Sequence, residues 1–164
     1  MYSRIVLAYD GTREGRTALR EGALLAKGCA AQVFLLSVIG DTAGVQIGES
    51  ALPGAVDRQR DTYRSILQEG LERLEAVGFR DPVARLVEGE PARVIAAFAR
   101  EVQADLVVVG HRRQSAFARW WAGSANANLL EYLGCSILVS RKAISDEDFN
   151  SAFARRGGAP PESA

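Results

Sequence analysis

Short, continuously apolar runs alternate along this chain with longer stretches whose apolar residues recur at helical spacing. The first run, residues 4–9, reads Arg-Ile-Val-Leu-Ala-Tyr and stops abruptly at Asp10, Gly11 and Thr12. The spacing then predicts a helix over residues 13–27, with Ala18, Gly22, Leu25, Ala26 and Cys29 on one face. Thr12 suits its N-cap and Gly28 its stop. Residues 32–39 read as a second strand, and residues 40–54, rich in Gly and Ala, as a long loop. The next helix is expected over residues 56–77. Tyr63, Ile66, Leu67, Gly70, Leu71 and Leu74 form its buried stripe, and Gly78 stands where a left-handed cap is wanted. After a short strand at residues 83–87, the turn Gly89-Glu90 leads into a helix with Pro91 at its first position. Val94, Ile95, Phe98 and Val102 form that helix's core face. Residues 106–109 are the most apolar strand, and a helix over 124–133 and a strand over 136–140 complete the pattern.

The predicted order is βαβαβαβαβ. Continuously apolar strands alternating with helices imply a parallel sheet covered on both faces. With right-handed crossovers, this is an open, five-stranded, doubly wound α/β sheet of the Rossmann-like kind. The periodicity fails from Lys142 onward, where acidic Asp146-Glu147-Asp148 and a Gly/Pro-rich stretch follow. The expected organisation is one domain over residues 1–141 and a mobile tail over 142–164, with a helical turn around Phe149 and Phe153.

Composition narrows the function class. Lys and Arg number 20 against 20 Asp and Glu, so the balanced chain is unlike a general nucleic-acid binder. No apolar run approaches the roughly 18 residues of a membrane span. The first apolar run meets Asp10 too early for a signal peptide, which points to a cytoplasmic protein. Cys29 and Cys135 are too few and too far apart for a disulfide framework or a Zn site, and suit small core positions. His111 is the only histidine, so neither a Ser/His/Asp triad nor a His-based metal site is assembled. No catalytic or metal-binding residue is assigned.

Open parallel sheets bind ligands beyond the carboxyl ends of their strands. Three segments end there: Asp10-Gly11-Thr12, Val38-Ile39-Gly40, and Gly110 with its loop. That loop leads to Gly123-Ser124 at a helix start, where backbone N–H groups make an anion site. Ser124 also reads as an ordinary N-cap, the stronger reading on spacing alone. Asp10 equally suits a turn that caps the next helix. Trp120-Trp121 beside Phe117 fit a partner-binding patch or packing of the loop on its own domain.

Several of these segments resemble the universal stress protein family, over residues 3–141. Ile5 to Thr12 is similar to its first strand and Asp, and Gly89-Glu90-Pro91-Ala92 with Ile95 to its turn into the third helix. Ala104 to Gly110 resembles its fourth strand, and Gly123-Ser124 through Cys135 to Val139 its last helix and strand. The resemblance implies an adenine-nucleotide-hydrolase-like fold, no catalysis, and a homodimer paired through Ile137, Leu138 and Val139. One branch of that family binds ATP through a glycine, two residues, a glycine, nine residues, then glycine and Ser or Thr. On this chain the positions are Gly110, Arg113, Gly123 and Ser124, with Arg113 replacing the second glycine. A side chain there obstructs backbone N–H groups from phosphate. A guanidinium can instead grip phosphate directly, and Arg112, Arg113 and Arg119 share this loop with no acidic residue. The pattern places adenine near Asp10 and Val38 and phosphates, with Mg, near Gly110, Gly123 and Ser124. The alternative is a branch without nucleotide, acting only through protein partners.

Overall fold

The apolar runs become strands because helices wall both faces of the sheet. A computed structural model of the chain describes residues 1–40, 54–111, 129–141, 144, 145 and 147–151. Its elements are β1 (Arg4–Ala8), α1 (Arg13–Cys29), β2 (Gln32–Ile39), α2 (Ala55–Ala76), β3 (Val83–Glu88) and α3 (Pro91–Glu101). They continue with β4 (Leu106–Gly110), the single turn α4 (Leu129–Tyr132) and β5 (Ser136–Ser140). The five strands are all parallel, in the order β3-β2-β1-β4-β5.

Residues alternate between two cores, as strand pleating requires. Ile5, Leu7 and Tyr9 join Val33, Leu35 and Val108 under α1 and α2. Val6 and Ala8 join Phe34, Leu36 and Val107 under α3 and α4. Leu7, Leu35 and Ile95 are at most 1% exposed, and burial of each stabilises the fold by about 1.5–3 kcal/mol. Phe34 and Phe98 meet edge-on, with ring centroids 6.4 Å apart. At the amino ends of the strands, Asp105 accepts hydrogen bonds from the backbone N–H groups of Ser3 (2.7 Å) and Arg4 (3.1 Å). That end of the sheet is thus tied together by structural contacts.

One boundary differs instructively from the sequence pattern. Gly28 does not stop α1: the helix runs through Cys29, and Ala30 takes the left-handed cap at φ 53°. Cys29 packs on the core beneath α1, and that tertiary contact outweighs the glycine's local preference. Gly78 does adopt the left-handed conformation expected of it, at φ 89°. Beyond β5, residues 147–151 form the helical turn expected around Phe149. Phe149 itself is buried in the α1/α2 core, whereas Phe153 lies outside the described residues.

Candidate functional site

Strand order reverses between β1 and β4. From β1 the chain winds outward to β2 and β3, whereas β4 leads to β5 on the other side. The connecting helices leave on opposite faces, and a crevice opens between them. It is a cleft of about 450 Å³, counting its open mouth. Ala8, Tyr9 and Asp10 end β1 along its floor, with Leu36 and Val38 of β2 on one side and Gly110 of β4 on the other. Thr12, Glu14 and Gly15 at the start of α1, and Pro91 at the start of α3, complete the wall.

Asp10 organises the entry to α1. Its Oδ1 accepts from the Thr12 backbone N–H at 3.0 Å and from the Thr12 hydroxyl at 2.6 Å. Thr12 in turn caps the helix, its Oγ1 accepting from the Gly15 N–H at 3.1 Å. The arrangement needs Gly15, because a Cβ there would lie 2.3 Å from Asp10 Oδ1. Asp10 Oδ2 has no hydrogen-bond partner among the described residues. The carboxylate therefore performs its turn-forming task with one oxygen, in a residue that also lines the cleft.

Gly110 is explained by packing. A Cβ on it would come within 2.6 Å of the Glu14 carbonyl oxygen and 3.0 Å of the Gly15 nitrogen. The carboxyl end of β4 thus presses directly on the first turn of α1. Beside it, Ser140 pairs with Gly110 in register, and its carbonyl accepts from the His111 N–H at 3.0 Å. The Ser140 hydroxyl is buried with no partner among the described residues. On the far side, Glu90 closes the start of α3, its carboxylate accepting from Ala92 (3.1 Å) and Arg93 (3.0 Å).

Behind the cleft lies a charged cluster. Tyr9 is 2% exposed, and burial pushes its phenol pKa up, opposed chiefly by the neighbouring Arg16 guanidinium. Arg16 grips Glu69 of α2 in a two-pronged pair at 2.9 and 3.2 Å, and Arg73 reaches the same carboxylate at 2.9 Å. The Arg16 hydrogen bond holds the Glu69 carboxyl below its ordinary range, with Arg73 adding to the effect against burial.

Of the residues singled out in the sequence, Asp10, Val38 and Gly110 converge on one cleft. Arg113, Gly123 and Ser124, together with Arg112, Arg119, Phe117, Trp120 and Trp121, lie outside the described residues. The sequence pattern did not flag Gly15, the buried hydroxyls of Tyr9 and Ser140, or the Arg16–Glu69–Arg73 cluster. Only Gly15 had a readable signal, a small residue in the first turn after an Asp-x-Thr cap. Among the described residues no group of three or more His, Cys, Asp or Glu is placed to hold a metal ion. No described helix is long and apolar enough to cross a membrane.

The family profile described as "Universal stress protein family" matches residues 1–141. A Staphylococcus epidermidis protein named as a universal stress protein is 27% identical over 154 residues, spanning 93% of this chain and 92% of that one. A universal stress protein crystallised in complex with cAMP is 25% identical, with a TM-score of 0.65 over 87% of this chain and 99% of that one. A family member from Burkholderia pseudomallei is 27% identical, with a TM-score of 0.62 over 84% of this chain and 95% of that one.

Proposed function

The chain belongs to the universal stress protein family, and from that premise we propose that it is a non-catalytic stress-response module binding an adenine nucleotide. The observation that carries this reading is the convergence of Asp10, Val38 and Gly110 on one cleft at the reversal of strand order. The cleft's residues fit a nucleoside. Ala8, Leu36, Val38 and Pro91 offer an apolar wall for adenine, and the open oxygen of Asp10 can accept from a ribose hydroxyl or the adenine amino group. The phosphates and their Mg would extend past Gly110 toward Arg113, Gly123 and Ser124. The structure of a relative with cAMP supports an adenine nucleotide as the ligand class. The module acts as a homodimer paired through Ile137, Leu138 and Val139, in the cytoplasm, with residues 1–141 as the working domain.

A second reading, a protein-interaction module without nucleotide, is favoured by two observations. Arg113 stands where the ATP-binding pattern has glycine, and Gly110 is already required by its approach to Glu14. Calorimetric titration with ATP and with cAMP separates the two readings. The nucleotide reading expects saturable heat with at least one of them. No heat at millimolar ligand leaves the interaction module. Arg113→Gly, titrated alongside, assigns the arginine: tighter ATP binding marks an obstruction, weaker binding a phosphate ligand. Sustained phosphate release above a heat-treated control would overturn the non-catalytic assignment.

A further inference from the structure

A second cavity, of about 530 Å³ counting its open mouth, lies between α1, α2 and the C-terminal segment at Phe149 and Asn150, away from the nucleotide cleft. Leu19 and Ala23 of α1 and Leu74 and Val77 of α2 form its apolar wall, with Arg16, Arg20 and Arg73 also in the lining. Arg16 and Arg73 share a single carboxylate, Glu69, so this part of the rim is cationic.

The chain's own C-terminal segment is seated here. Phe149 is 9% exposed and packs in the same cluster as Leu19, Ala23 and Leu74. Ile144 packs on that cluster as well, and its carbonyl accepts from Arg20 at 2.7 Å. The turn that carries Phe149 closes on itself. Ser145 Oγ accepts from the Asp148 N–H at 3.0 Å and donates to Asp148 Oδ2 at 2.7 Å, a reciprocal cap. The segment thus has a capping contact of its own besides its contacts with the groove. Its sequence, with Asp146, Glu147 and Asp148 before the aromatic, opposes the charge of the rim.

We propose that this groove is a docking surface for short acidic peptide segments with an aromatic anchor. The segment carrying Ile144 and Phe149 covers this surface in cis and leaves the cavity beside it, and a partner's segment of the same chemistry exchanges with it. A peptide is the fitting occupant because Arg20 reads a main-chain carbonyl, which any peptide presents, while the aromatic and the acidic charges supply selectivity. Because the cavity borders Phe149, a Trp-bearing segment is expected to compete better than the resident one.

Fluorescence anisotropy on the full chain tests the exchange. The probe is a labelled peptide with the sequence of residues 144–151, Ile-Ser-Asp-Glu-Asp-Phe-Asn-Ser. Full-length Phe149→Ala, its cis occupant loosened, is expected to bind the probe about tenfold more tightly than the unaltered chain, since cis occupancy lowers apparent affinity. Replacing Phe by Ala in the probe abolishes that binding, replacing it by Trp strengthens it, and about 0.5 M salt weakens it. Equal binding by the two proteins, or an Ala probe that binds as well as its parent, overturns the proposal. Should Phe149→Ala not melt cooperatively, Ser145→Ala gives the same comparison with a smaller factor, because it breaks only the turn's cap. None of these outcomes depends on whether the other cleft takes a nucleotide.

Discussion

At the scale of single residues, Asp10 shows how one side chain serves structure and site together. An aspartate after an apolar strand, two positions before a threonine, is what a turn into a helix requires. That reading is correct, since Oδ1 takes both Thr12 donors. Asp10 also lines the cleft, and its Oδ2 has no partner among the described residues, so a ligand contact is a second role to test. Asp10→Asn separates the two roles. The amide oxygen can replace Oδ1 toward Thr12, while the NH₂ group replaces an acceptor by a donor on the cleft side. If Oδ2 accepts from the nucleoside, affinity for the bound nucleotide falls roughly ten- to a hundredfold, the worth of a hydrogen bond to a charged group of about 1.5–3 kcal/mol. The thermal midpoint stays near that of the unaltered protein. Calorimetry and a melt on the same sample check both halves, and an unchanged affinity would remove Asp10 from the ligand's contacts.

At the scale of elements, the pair between α1 and α2 carries a pH dependence. Glu69 is held below its usual value of 4.5, first by the Arg16 hydrogen bond and then by Arg73. A depressed carboxyl contributes stability that is fully present above its unfolded value and lost as pH falls through the folded one. The arginine side chains are 43% and 39% exposed, so solvent screening keeps the contribution to about 1 kcal/mol or less. Glu69→Gln should therefore lower the urea midpoint at pH 7 and flatten its decline in the window below pH 4.5. An unaltered acid limb in the variant would show that the pair contributes nothing to acid stability. This pair also marks the limit of what the sequence reveals. Strands β2 and β5, and the start of α3 at Pro91, follow from local period and cap chemistry and lie where the pattern predicts them. Arg16 and Glu69 lie 53 residues apart, and they meet only because β2 neighbours β1 in the sheet. No local period encodes that neighbour relation. The seat of Phe149 was hidden for the same reason: an aromatic in an acidic, Gly/Pro-flanked tail has no periodic partner to announce its burial.

At the scale of the whole molecule, the sheet has two edge strands of different character. On β3, Arg85 lies 5.2 Å from the Phe98 ring and pairs with Glu101, and Glu88 pairs with Arg60. Charges of this kind blunt an edge against pairing. β5 carries no charged residue: Ser136, Ile137, Leu138, Val139 and Ser140 follow one another, with the three apolar residues only partly buried. Its ladder has a definite parity. Ser136 N–H donates to the Asp105 carbonyl, and the Ser140 carbonyl accepts from His111, so the even positions face β4. Ile137 and Val139 consequently turn their backbone groups outward. A two-fold axis would bring two such edges together antiparallel, each supplying the donors that the other lacks. Val139→Pro deletes one outward N–H without touching the ladder to β4, a substitution that edge positions tolerate. Sedimentation is expected to find the unaltered chain as a dimer and Val139→Pro as a monomer, with the same far-ultraviolet circular dichroism. Should the variant remain dimeric, the copies must meet through another surface. Should the unaltered chain sediment as a monomer at micromolar concentration, the β5 edge is covered in some other way.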